Sequence, residues 1–330
     1  MRVIVIGTSA GGINALKVVA SGLPAGLDAA VLVVLHVAAF SPGVLPDILS
    51  RASLLPSAHG RAGQSLEPGR IYVAPPDFHM LIDGQGRIQL SHGPKENHTR
   101  PAIDPLFRSA AMTFGPEVIG VVLTGSLNDG TAGLLSIKDA GGIAVVQDPV
   151  EAEASGMPAS AARHVAIDYC APLAQMAPLL VRLTQSERSK ERRIMPDRDK
   201  IETEIALGDE PLSGGVQQIG DATLLTCPEC HGTLLRIRDH RLTRFRCHTG
   251  HAFTAQSLEA ALDQATEEAI WSTVRSFHEG AMLLKHLATH AHEAGRTDEA
   301  QVLLEKAKDK LRRAETVRKT AVQKNPSDEW

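Results

Sequence analysis

The chain has 330 residues, with 34 Lys/Arg against 38 Asp/Glu and a formal net charge of −4 at pH 7. That length accommodates more than one domain of ordinary size. The charge balance lacks the basic excess by which a protein neutralises nucleic-acid phosphates, so nucleic acid is not an expected partner.

Residues 3–6, Val-Ile-Val-Ile, open a strand pattern without the basic start, apolar core and cleavage site of a signal peptide. No apolar run approaches the ~20 residues of a membrane span. Cys227, Cys230 and Cys247 share one motif and Cys170 stands alone, which is not a disulfide framework. A cytoplasmic protein without membrane insertion is expected.

The first strand runs into Gly7-Thr8-Ser9-Ala10-Gly11, a Gly-x-Ser-x-Gly turn before a helix-like segment at 12–21. Glycines on either side let the chain reverse sharply and present Ser9 Oγ above the sheet edge. The same turn would also suit a phosphate cradle at a helix N-terminus, or a plain tight turn. On the motif alone the three readings stay open.

Further apolar runs at 29–35, 71–74, 118–123 and 143–146 are rich in β-branched residues and do not alternate, as strands buried on both faces do. Helix-like segments lie between several of them, at 42–51, at 104–114 with Asp104 as cap and Pro105 in the first turn, and from Asp129 to Ala140. The alternation predicts a doubly wound, mostly parallel α/β sheet. Residues 79–91 interrupt it, two short runs flanking Asp83-Gly84-Gln85-Gly86 in the pattern of a β-hairpin.

Functional side chains of an open parallel sheet gather at the carboxyl ends of its strands. Ser9 follows the first strand, His36 ends the second, and Asp129 follows the 118–123 strand. These are the types a nucleophile, its base and the base's orienting acid require. Taken singly, Asn128-Asp129-Gly130 is also a common turn and His36 could be a hydrogen-bonded histidine at a sheet edge. His59, His79, His92, His98 and His164 compete for the base role, but most fall in loops or at strand beginnings. The order Ser, His, Asp differs from that of α/β-hydrolases.

Six blocks in order, Ile6 to Gly12, Val34-Leu35-His36, Tyr72-Val73-Ala74-Pro75-Pro76, Arg100 to Phe107, Leu123 to Gly130 and Gly156-Met157-Pro158, resemble the catalytic domain of bacterial chemotaxis protein-glutamate methylesterases over residues 2–183. The resemblance implies a triad of Ser9, His36 and Asp129, in agreement with the strand-end argument. It implies hydrolysis of γ-glutamyl methyl esters on chemoreceptor-type proteins with release of methanol, and deamidation of glutamines as a second activity. No cofactor is implied for catalysis. By analogy with nucleophile elbows, the backbone N–H groups of Ala10 and Ser126 are candidate oxyanion donors. The best-known members carry a phosphorylated receiver domain ahead of the esterase. Here the esterase pattern starts at the first strand, so control by phosphorylation in cis is not expected.

Charge density rises near residue 184: residues 1–183 carry 12 Lys/Arg and 14 Asp/Glu, the shorter remainder 22 and 24. Residues 184–222 read as a charged, Gly/Ser/Pro-bearing linker. Cys227-Pro228-Glu229-Cys230, a 16-residue spacer and Cys247-x3-His251 then give four ligands at the spacing of a tetrahedral structural zinc site, with His231 and His248 in reserve. Strand-like runs flanking residues 239–241 complete a zinc-ribbon-like module over 223–256. Arg236, Arg238, Arg241, Arg244 and Arg246 line it, but stacking aromatics are nearly absent, so a protein adaptor role is favoured.

Apolar residues at helical spacing from Leu258 to Ala291 and from Ala300 to Ala321, with a break at residues 295–297, predict a helical hairpin over 257–330, packed on itself or self-associating through its small-residue stripe. The organisation expected is therefore an esterase at 1–183, a linker at 184–222, a ribbon at 223–256 and a helical hairpin at 257–330. The rival to an enzyme is a signalling scaffold that keeps the esterase fold for protein binding, against which the presence of Ser9, His36 and Asp129 together argues. A phosphate-binding domain ranks last, since no dinucleotide fingerprint follows the glycine turn.

Overall fold

A computed structural model describes residues 1–186, 193, 195–208, 211 and 215–322. The first half runs β1 (Arg2–Thr8), α1 (Gly12–Ser21), β2 (Ala29–Leu35), α2 (Leu45–Ala52), β3 (Ser57–His59), β4 (Arg70–Val73), β5 (His79–Ile82), β6 (Ile88–Ser91), α3 (Ile103–Phe114), β7 (Val118–Val122), α4 (Thr131–Asp139), β8 (Ile143–Gln147), α5 (Gly156–His164), β9 (Tyr169–Ala171) and α6 (Leu173–Gln185). Seven strands make one parallel sheet in the order β3-β4-β2-β1-β7-β8-β9, while β5 and β6 pair as the separate antiparallel hairpin.

The lack of alternation in the strands has a direct cause: both sheet faces are covered. Along β1, Val3 and Val5 enter a core with α3, α4 and α5, through Leu106, Phe107, Leu134 and Met157. Ile4 and Ile6 enter the opposite core with α1, α2 and α6, through Leu16, Val19, Leu49 and Leu180. A strand apolar at every position has no solvent face to lose by slippage, and here helices pin both sides. Three-residue β3, half-exposed at the sheet edge, and β9 at the other edge carry too little apolar pattern to read from sequence. Asp104 does not cap α3: the cap position is Ala102, and the Asp104 carboxylate accepts the Gly133 N–H at 2.7 Å instead.

The second half differs more from expectation. The segment read as a linker carries α7 (Asp197–Leu207) and α8 (Val216–Ile219), and then enters β10 (Gly220–Thr226). Ile201, Ile205, Val216 and Ile219 share a small core with Ile237, so this stretch is packed rather than free. The charged run at 187–192 and most of the Gly/Ser/Pro stretch at 211–215 lie outside the described residues. β11 (Thr233–Ile237) and β12 (Arg244–Cys247) form the expected hairpin, extended by β10 and β13 (Ala252–Thr254) into a four-stranded antiparallel sheet, the ribbon.

One compact unit spans Met1–Leu258, joining the parallel-sheet fold and the ribbon, and the second covers Glu259–Trp330. α9 (Ala255–Glu293) and α10 (Thr297–Val322) make up the helical pair, with Ala288, Ala291, Ala300 and Leu303 packed together. Among the described residues, no helix is long and apolar enough to cross a membrane.

A buried ion cluster joins the ribbon to the parallel-sheet domain. Glu202 of α7 accepts from Arg244 at 2.9 Å and Arg246 at 3.0 Å, and Glu96 accepts from Arg246 and from Arg108 of α3, both at 2.8 Å. Burial would lift the Glu202 pKa, but Arg244, Arg246 and Arg108 outweigh it and hold the carboxyl well below its usual range. Arg241 pairs with Asp139 of α4 and Arg238 with Asp221. Four of the five arginines that line the ribbon are thus engaged by carboxylates of the same chain.

Glu202→Ala would strip buried Arg244 of its close carboxylate partner and leave Arg246 with Glu96 alone, at a cost of about 3–5 kcal/mol, measurable as a lower urea midpoint at pH 7. A depressed carboxylate pKa contributes stability in full above the unfolded value of ~4.3 and loses it as pH falls below that. The gap between wild type and Glu202→Ala should therefore hold from pH 7 to about 5 and narrow in acid.

Candidate active site

The register of the parallel sheet brings the first two candidate residues together. β1 and β2 pair with Thr8 opposite Leu35, so Ser9 and His36 are the next residues on adjacent strands, which lie ~4.8 Å apart. The His36 N–H donates to Thr8 O at 3.2 Å. β7 flanks β1 on the other side and delivers the loop that ends in Asp129. Strand order reverses about β1, and ligand sites of doubly wound sheets form at such switch points.

Thr124, just after β7, sets the serine turn. Its carbonyl accepts the Ser9 N–H at 3.0 Å and the Thr8 hydroxyl at 2.8 Å. Its hydroxyl donates to Ala10 O at 3.0 Å and accepts the Ala154 N–H at 2.8 Å, while its own N–H donates to Gln147 Oε1 at 2.9 Å. One side chain thereby ties the loops after β1, β7 and β8. Gly11 takes the left-handed conformation at φ 74°, and a Cβ on Gly125 would fall 2.1 Å from Met157 Sδ and 3.0 Å from Ser9 Cβ. Both positions therefore call for glycine.

His36 Nε2 lies 2.7 Å from Asp129 Oδ2. Asp129 is 2% exposed, and four further donors surround it: the N–H groups of Ile103 (2.7 Å), Gly130 (2.9 Å) and Asp104 (3.3 Å), and Asn97 Nδ2 (2.9 Å). Burial would raise its pKa, but the hydrogen bond and charge of His36, then the Ile103 amide and Asn97, bring it down to about 2. Asp129 is therefore a permanent anion that fixes His36 with Nε2 protonated and leaves Nδ1 as the basic nitrogen. Neighbouring Asp104 goes the opposite way, lifted well above the usual carboxylate range by burial and then by the Asp129 charge. Among the described residues the Ser9 hydroxyl makes no hydrogen bond.

None of the rival histidines hydrogen-bonds Asp129. His59 Nε2 meets Gly43 O at 2.8 Å, and His164 Nδ1 meets Arg241 O at 3.1 Å. His92 lies 3.6 Å from Asp77 and His98 lies 2.6 Å from Glu229. His79 is fully buried between Pro94 O and the Ala102 N–H, and desolvation lowers its pKa to about 4, so it is a neutral spacer. The backbone N–H groups of Ala10, Gly11 and Ser126 donate to no acceptor among the described residues. Cys227, Cys230, Cys247 and His251 place their ligand atoms within 4.8 Å of one another, whereas His231 and His248 stand outside the group.

A sequence profile described as CheB methylesterase matches residues 4–180, more than half of the chain. The chain belongs to the CheB methylesterase family. A putative protein-glutamate methylesterase/protein-glutamine glutaminase of Leptospira interrogans is 40% identical over 183 residues, 56% of this chain and 95% of that protein. A protein-glutamate methylesterase/protein-glutamine glutaminase of Methanosarcina mazei is 36% identical over 191 residues, and there the alignment spans about half of the relative's length (52%). The crystal structure of the Thermotoga maritima CheB methylesterase catalytic domain superposes with a TM-score of 0.54 at 32% identity, covering 55% of this chain and 98% of that one.

Within this CheB-family fold, sequence reasoning did not single out Thr124, Gln147 or Asn97. None belongs to a catalytic residue type, and their roles arise from contacts between loops far apart in the chain. The Thr124-Gly125 pair directly after a strand was the one local signal available. Gly125→Ala should displace Ser9 with only modest loss of stability, on the order of 1–3 kcal/mol for overpacking. Labelling of Ser9 by a serine-directed fluorophosphonate should drop sharply while the thermal transition stays cooperative.

Proposed function

We propose that this chain is a serine hydrolase that removes methyl groups from γ-glutamyl methyl esters of chemoreceptor-type signalling proteins, with glutamine deamidation as a second reaction of the same site. The observation that carries the reading is the ionised, five-donor Asp129 bound to His36, next to Ser9 across one strand spacing. Ser9 Oγ would attack the ester carbonyl as its proton passes to His36 Nδ1. The imidazolium, stabilised by Asp129, would then protonate departing methanol, and water activated by the same nitrogen would release the glutamate. Backbone N–H groups of Ala10 and Ser126, which have no acceptor among the described residues, are suited to receive the oxyanion.

A protein substrate is favoured by exposed apolar side chains in the segments that follow the sheet's carboxyl edge. Ile13, Phe40, Val44, Leu127 and Val150 are all exposed, from 42% to 94%. A hollow of about 70 Å³ lined by Ile13, Val37, Val44 and Pro76 lies beside His36 in sequence and on the same edge. Clustered exposed apolar residues mark contact surfaces on soluble proteins.

The ribbon's four ligand atoms fit a tetrahedral ion. Cys230 Sγ and Cys247 Sγ are 3.6 Å apart, and His251 Nδ1 is 3.8 Å from Cys227 Sγ and 3.6 Å from Cys247 Sγ. Metal–sulfur bonds of about 2.3 Å imply tetrahedral edges of about 3.8 Å. Zinc held there would cross-link the two turns of the ribbon and take no part in ester chemistry, since all four positions are filled by protein.

Purified protein should release methanol from methylated chemoreceptor membranes. Ser9→Ala should abolish the release, and Asp129→Asn should lower kcat by roughly 10³–10⁴-fold through loss of the correct imidazole tautomer. Release that survives Ser9→Ala would sink the assignment, and no release from folded wild type would favour the scaffold reading. Elemental analysis should find one zinc per chain, lost together with cooperative ribbon unfolding in Cys227→Ser.

A further inference from the structure

Four consecutive residues, Lys95 to His98, are each gripped by the ribbon. Lys95 O accepts the Ala252 N–H at 3.1 Å, and Lys95 Nζ lies 3.4 Å from Glu229. Glu96 accepts from buried Arg246 at 2.8 Å. The Asn97 N–H donates to Ala252 O at 2.7 Å, and His98 Nδ1 lies 2.6 Å from Glu229 in the Cys227-x2-Cys230 turn. Asn97 and His98 both hold positive φ, 51° and 65°. Left-handed backbone costs a non-glycine residue about 1 kcal/mol or more, so two in succession persist only where the surroundings impose them.

The Asn97 side chain bridges the two halves of this unit. Nδ2 donates to Asp129 Oδ1 at 2.9 Å and to Asp104 Oδ2 at 3.1 Å. Oδ1 accepts the Thr254 N–H at 3.1 Å and the Ser257 hydroxyl at 2.9 Å. Flipping the amide would set its oxygen against two carboxyl groups, so the network fixes its sense. Thr254 and Ser257 in turn cap α9 reciprocally, the Thr254 N–H on Ser257 Oγ at 2.9 Å and the Ser257 N–H on Thr254 Oγ1 at 3.2 Å, in the manner of a capping box. The Thr254 hydroxyl also donates to Asn128 Oδ1 at 2.6 Å, one residue before Asp129.

We infer that Asn97 is a positioning residue for the His36–Asp129 pair, and that the ribbon and the first turn of α9 hold it in place through Thr254 and Ser257. Esterase competence then depends on residues outside the 4–180 family region. The inference rests on Ser9, His36 and Asp129 as the catalytic residues. Its test is chosen to be read without substrate as well as with it.

In the full chain labelled with ¹⁵N-histidine, the proton between His36 and Asp129 gives a downfield resonance identified by its loss in His36→Gln. Asn97→Gly keeps the left-handed backbone and removes only the side chain, while Ser257→Ala touches neither Asp129 nor His36. Both should move or broaden that resonance while the thermal transition stays cooperative. On methylated receptor membranes, kcat should fall roughly 10- to 100-fold for Asn97→Gly and several-fold for Ser257→Ala, at unchanged KM, as loss of one hydrogen bond to a charged group predicts. A resonance and kcat unchanged in Ser257→Ala overturn the inference, and this variant decides alone if Asn97→Gly does not fold. A moved resonance in a protein without esterase activity supports the positioning role and tells against the substrate reading instead.

Discussion

A carboxylate with 2% exposure stays ionised only if protein dipoles replace its water, and Asp129 is the point around which the catalytic half is arranged. Three of its five donors are backbone N–H groups, from the start of α3 and from Gly130 at the start of α4. Helix N-termini offer N–H groups without intrahelical partners, so two helices converge on one anion. The packing of α3 against α4 is in this sense an electrostatic requirement as well as an apolar one. It also bears on Asp104, whose pKa is pushed up by burial and then by the Asp129 charge, while the carboxylate that binds His36 is held down.

The serine side depends on a different constraint, the register of a parallel sheet. Strands buried on both faces by Val, Ile and Leu cannot shift without misplacing two cores at once, and Thr8 opposite Leu35 fixes Ser9 beside His36. The Thr124 carbonyl and hydroxyl then hold the turn from the neighbouring strand. Ser9 and His36 are therefore placed beside each other chiefly by backbone register, with the Thr124 side chain pinning the serine turn, whereas Asp129 is set by a wider network of backbone and side-chain donors.

This division accounts for what could be read from the chain. β1, β2, β4, β7 and β8, the 79–91 hairpin and the helices between them follow from periodicity and length, because their burial is expressed locally in residue choice. Ser9, His36 and Asp129 could be named because strand-end position and residue type coincide there. β3 and β9 escaped, being short edge strands with mixed exposure. The 184–222 stretch reads as solvent-facing because its charges outnumber its apolar residues. Glu202 is nonetheless buried, since arginines from the ribbon and α3 meet it from far along the chain. Asn97 was invisible for the same reason: its partners are 7, 32, 157 and 160 residues away.

Charge pairing also changes the meaning of the ribbon's arginines. On sequence they form a basic face, but Arg244 and Arg246 are buried against Glu202 and Glu96, and Arg241 is bidentate to Asp139. Buried ion pairs contribute little net stability compared with apolar packing, yet removing one partner is costly, so they specify one arrangement strongly without adding much to its depth. A ribbon docked by apolar contacts could slide over the esterase surface. One docked by Arg246 shared between Glu96 and Glu202 has a single seating, and that seating carries β13 alongside Lys95 to Asn97. The two devices are therefore complementary: the ion cluster sets where the ribbon sits, and the polar contacts of Thr254 and Ser257 convert that position into the orientation of one amide beside Asp129.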